Sequence, residues 1–111
     1  MKSHNNLADA HIIQSISVLF GHDERLIEFF FHHKYPGPRL SSRELLNEAQ
    51  DLRSCEWILM KVSLDFWDGS GGTTFNELIR ILDEEQLTAV IRAILHFREI
   101  SMERCNGGEG C

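Results

Sequence analysis

The stretch Ser41–Trp67, SSRELLNEAQDLRSCEWILMKVSLDFW, is followed by Asp68-Gly69-Ser70-Gly71-Gly72 and then by Thr73–Arg104, TTFNELIRILDEEQLTAVIRAILHFREISMER. Its reading decides the fold class. Ser41 and Glu44 stand at capping-box spacing, where the hydroxyl and the carboxylate each satisfy a backbone amide left open at a helix start. Leu45, Leu52, Leu59 and Phe66 then recur every seven residues with Ala49 between the first two, while Arg43, Asn47, Ser54, Lys61 and Asp65 fall opposite. That periodicity predicts one long helix with a face for burial. Asp68-Gly69 ends it, because glycine takes the left-handed conformation at little steric cost. Thr74 and Glu77 repeat the capping-box spacing, and Asp83 offers a further N-cap ahead of Glu84 and Glu85.

Working outward, Leu7 to Phe20 reads as a helix with Ile12, Ile13, Ile16, Leu19 and Phe20 on one side, stopped by Gly21. Asp23 can cap a helix running to Tyr35, although Glu28–Tyr35 also suits a strand because aromatic residues fit pleated surfaces. Pro36-Gly37-Pro38 interrupts regular structure. The last helix, from Glu84 to about Arg104, is expected to turn Leu87, Val90, Ile91, Ile94 and Phe97 inward and Arg92, His96, Glu99 and Glu103 outward. The expected fold is therefore all-α: a compact bundle of four to five helices with a long central helix and a glycine hinge. Residues 1–105 would form a single domain, and 106–111 a flexible glycine-rich tail.

At 111 residues with 42% hydrophobic content, the chain suits one core. Eleven Lys and Arg against 17 Asp and Glu give a formal charge of −6, which argues against a surface built to hold nucleic-acid phosphates. No apolar run is long enough to span a bilayer, and the N-terminus lacks the basic-then-apolar layout of a secretory signal. Three cysteines, Cys55, Cys105 and Cys111, form no paired zinc-ligand spacing. A cytoplasmic location with free thiols is expected.

The candidate chemistry is sparse. His32 and His33 are adjacent, so they point to different sides of a helix, and no HExxH pattern occurs among the six histidines. Gly69–Thr74 lacks the Gly-Lys-Ser/Thr ending of a phosphate-binding loop, and Asp65 and Asp68 lack the spacing of a calcium loop. Ser63 and the cysteines carry no activation pattern. Glu56 is the unusual carboxylate, projecting from the middle of an apolar stripe. It reads either as a group whose pKa is raised by burial for acid–base work, or as half of an internal ion pair with Arg98 of the last helix.

These features point to a non-catalytic protein-interaction module. In a sharper form it is an inhibitor or regulator whose acidic side chains occupy a basic site on a nucleic-acid-processing partner. Phe29, Phe31, Trp57, Trp67, Glu84 and Glu85 are the expected partner-binding residues, with Glu56 and Arg98 as a structural ion pair. No catalytic residue, metal or cofactor is assigned. The partner is another protein rather than nucleic acid or membrane, and a homodimer is compatible with the same features. The competing reading is a small metalloprotein or enzyme using His32, His33 and Glu56.

Overall fold

The computed structural model describes the backbone of residues 6–105 and the side chains of residues 10–98. It is all-α. Among the described residues six helices follow in order: α1 (Asn6–Leu19), α2 (Glu24–Phe30), α3 (Ser42–Ala49), α4 (Ser54–Trp67), α5 (Phe75–Ile81) and α6 (Glu84–Cys105). The expected count of four to five is thus too low, and the tail 106–111 lies outside the described residues.

The difference arises at Gln50–Arg53, where the stretch expected as one helix breaks in two. Ser41 caps α3 in the expected way, its hydroxyl accepting from the Glu44 amide while Glu44 accepts from the Ser41 amide. The helix then needs only one stripe, Leu45 and Ala49, for burial. α4 is different: Ile58, Leu59, Met60, Val62, Ser63 and Leu64 are all buried, so it is covered nearly all round. Between the two the chain turns, and α3 packs back on α4.

α4 is the central helix, touched by α1, α3 and α5, while α1 lies along α6. The core draws Ile16 and Leu19 from α1, Leu26 and Phe30 from α2, and Val90 and Ala93 from α6 around it. Ser63, fully buried, donates its hydroxyl hydrogen to the Leu59 carbonyl one turn back, which satisfies it locally.

α2 stops at Phe30, five residues before the expected end at Tyr35. Phe31 instead forms an isolated antiparallel bridge with Pro38, and Arg39 donates its amide to the Phe30 carbonyl at 2.7 Å. Pro36 disfavours helical geometry in Tyr35 before it, so the chain folds back beside the helix end. The three phenylalanines are shared out as the crowding requires: Phe30 is fully buried, whereas Phe29 and Phe31 are partly buried.

The glycine segment after α4 is a tied turn. The Asp65 carboxylate accepts three amides, from Gly71 (2.8 Å), Gly72 (3.1 Å) and Thr73 (3.1 Å). Gly71 sits so close to α4 that a Cβ there would lie 1.8 Å from the Lys61 carbonyl oxygen. Gly69 and Gly72 supply the positive φ angles of the turn.

Candidate functional site

α5 begins with the predicted capping box: the Thr74 hydroxyl accepts from the Glu77 amide, and the Thr74 amide donates to Glu77. Lys61 of α4 reaches both Glu77 oxygens, at 3.1 and 2.9 Å. The Thr74 amide and the Lys61 ammonium hold the Glu77 carboxyl below the usual carboxylate range. Polar clamps thus fasten α5, and none of its residues is buried. Leu78 packs against the core, whereas Phe75 and Ile79 turn outward, 76% and 58% exposed.

α6 continues this surface. Asp83 accepts from the Gln86 amide at 2.7 Å and Gln86 accepts from the Asp83 amide, so Asp83 is the N-cap its sequence position suggests. The inward face of α6, however, is rotated from the expected one. Val90 and Ala93 are buried, and Phe97 stacks on Phe66 at 5.5 Å. Ile91, Ile94 and Leu95 stand about half exposed. His96, expected outward, is partly buried against α1, where its Nδ1 lies 2.9 Å from the Ser15 hydroxyl. Packing along α1 selects one side of α6, and the helix carries more apolar residues than that side can take.

The outcome is a set of exposed apolar side chains on two consecutive helices. A groove of about 340 Å³ runs between α4, α5 and α6, lined by Val62, Phe66, Phe75, Leu78, Val90 and Ile94 among others. Glu84 and Glu85 are exposed at the α6 end of this face. The sequence signal that could have located it was the density of apolar residues in Leu87–Phe97, which exceeds a single stripe.

The aromatic residues expected to bind a partner lie elsewhere and pack against the core. Phe29 is covered by the Arg39 guanidinium, 5.2 Å from the ring centre, and Phe31 meets Phe30 edge-on at 4.9 Å. Trp57 carries the Lys61 ammonium over its ring at 5.4 Å. Trp67 lies against Gly37, close enough that a Cβ there would touch it at 3.4 Å.

Glu56 is buried as expected, but its partner is not Arg98. The carboxylate accepts from the Arg25 guanidinium of α2, and the Arg53 guanidinium stands 3.6 Å away. It also accepts the Arg53 amide at 3.4 Å, because the break at Gln50–Arg53 makes Glu56 the third residue of a new helix. Arg98 is exposed on α6, on the side away from Ala93. The hydrogen bond from Arg25 outweighs burial and holds the Glu56 carboxyl below its ordinary range, the opposite of what an acid–base role requires.

Among the described residues the histidines form no reactive set either. His32 and His33 stack at 5.0 Å just past α2, and His32 Nδ1 accepts the Lys34 and Tyr35 amides. Among the described residues no three His, Cys, Asp or Glu side chains stand together as a metal-binding group. Ser15 and His96 are spaced like a nucleophile and base, but Ser15 is fully buried, so the pair is a link between α1 and α6. Among the described residues no helix is long and apolar enough to cross a membrane. Comparison with protein families, curated proteins and solved structures finds no match to this chain.

Proposed function

We propose that this chain is a small non-catalytic protein-interaction module whose contact surface is the α5–α6 face. The observation that carries the reading is the exposure of Phe75, Ile79, Ile81, Ile91, Ile94 and Leu95 on two consecutive helices. Single exposed apolar residues are ordinary on protein surfaces, but Phe75 and Ile94 line one groove with Leu78 and Phe66, and an apolar groove with exposed apolar residues on both its helices favours burial against another surface. Phe75 supplies the large aromatic anchor that such contacts favour.

The narrower form, an inhibitor or regulator engaging a basic site on a nucleic-acid-processing partner in the cytoplasm, draws its support from charge. The net charge is −6, and Asp83, Glu84 and Glu85 are exposed together.

A photo-crosslinking residue placed at Phe75 tests the reading against the same residue at Arg43, exposed on α3. In an extract of its own cells, defined protein adducts are expected from the Phe75 position alone. No adduct there, or the same pattern from Arg43, overturns the proposal. Loss of the adduct with added salt supports the charge-based form, and insensitivity to salt opposes it.

A further inference from the structure

We infer that the outer stripe of α6 pairs antiparallel with the same stripe of a second copy of this chain, about a two-fold axis at Ile91. The inference rests on the interaction reading above and names its partner.

The argument is one of self-complementarity. At about 100° per residue, Glu84, Leu87, Ile91, Ile94, Leu95 and Arg98 fall on one side of α6. Glu84, Ile91, Ile94, Leu95 and Arg98 are exposed there, and Leu87 is partly buried. The stripe has an acid at its N-terminal end, a base at its C-terminal end and, between them, apolar residues with the exposed Thr88. An antiparallel partner meets each position with one equally far on the other side of the axis. With the axis at Ile91, Glu84 meets Arg98, Leu87 meets Leu95, Thr88 meets Ile94, and Ile91 meets itself. Every apolar residue then faces a residue it can pack against, and each end closes with an ion pair.

The alternatives within a self-pairing fit less well. A parallel pair would set Glu84 beside Glu84 and Arg98 beside Arg98, placing like charges together at both ends. The two-fold arrangement is also isologous, so it closes at a dimer and leaves no free edge to propagate. The seam from Glu84 to Arg98 runs about 21 Å, and the exposed Phe75 of α5 lines a groove with Ile94 at its edge. Glu85 lies about 100° further round the helix, outside the seam.

The test is analytical ultracentrifugation of the full chain across a concentration series, with circular dichroism to establish that each variant is folded. The wild type is expected to show a monomer–dimer equilibrium. Ile91→Asp, at the axis, is expected to leave folded monomer. Glu84→Arg and Arg98→Glu each set like charges together at both ends and are expected to weaken the dimer about tenfold or more. The double reversal restores both pairs with signs exchanged and is expected to recover the dimer. A monomeric wild type, a dimer indifferent to Ile91→Asp in a folded variant, or a double reversal no better than the singles overturns the inference. A monomeric wild type that still gives adducts to other proteins from the Phe75 position overturns the self-pairing alone. Loss of those adducts together with the dimer removes the interaction reading as well.

Discussion

The Glu56 carboxylate of α4 accepts a hydrogen bond from the Arg25 guanidinium of α2, joining two helices whose residues are thirty-one positions apart. The pair is lopsided: the Glu56 side chain is 7% exposed and that of Arg25 60%. Removing Glu56 releases an arginine that water can solvate, so Glu56→Ala should cost about 1.5–3 kcal/mol for its charged hydrogen bonds rather than the larger penalty of a stranded buried charge. Arg25→Ala leaves the carboxylate buried beside Arg53. Because the folded pKa of Glu56 is depressed, its contribution is present above the ordinary carboxylate value and is lost as pH falls through the lower folded value. The deficit of Arg25→Ala should accordingly shrink in acid, as measured by urea unfolding at neutral and at acid pH.

Gly71 should be the least replaceable residue of the turn. A methyl there meets the Lys61 carbonyl of α4 at 1.8 Å, and neither backbone can yield without breaking the Asp65 contacts. Gly71→Ala is expected to cost about 3 kcal/mol by overpacking. Gly69, with φ of 78° and open space around it, should lose only about 1 kcal/mol on the same change. Thermal melts of the two variants make the comparison directly, and equal losses would refute it.

Lys61→Met should loosen α5 while leaving α4 in place. Lys61 and Glu77 are both partly buried, between the exposed and enclosed limits for ion pairs, so a loss of about 1 kcal/mol is expected. Glu77 is held below its ordinary range chiefly by the Thr74 amide and then by Lys61. Its stabilisation is thus present above the unfolded carboxylate value and fades as pH falls. Amide hydrogen exchange in α5 should speed up in the variant at neutral pH, and in the wild type on acidification.

Among the three consecutive phenylalanines, the cost of truncation should follow burial. Phe30→Ala empties a fully enclosed site against Phe20 and is expected to cost about 3–5 kcal/mol. Phe29→Ala and Phe31→Ala, at partly exposed positions, should each cost clearly less. Chemical denaturation of the three variants ranks them, and a larger loss at Phe29 or Phe31 than at Phe30 would contradict the packing described.

The local signals in the chain settled what is local. Ser41 with Glu44, Thr74 with Glu77, and Asp83 ahead of α6 each mark a helix start, because a cap satisfies backbone amides within three residues and needs nothing distant. Helical class and the burial of Glu56 follow from periodicity in the same way. What tertiary structure decided is everything that depends on a neighbour: the break at Gln50–Arg53, the rotation of α6 and the identity of Glu56's partner. Seven-residue spacing carried straight through the break, since Leu45 and Leu59 are buried on both sides of it while belonging to different helices. The face of α6 could not be chosen from a sequence that is apolar on several sides. Only its packing along α1, with His96 against Ser15, turned Ile91, Ile94 and Leu95 to the outside.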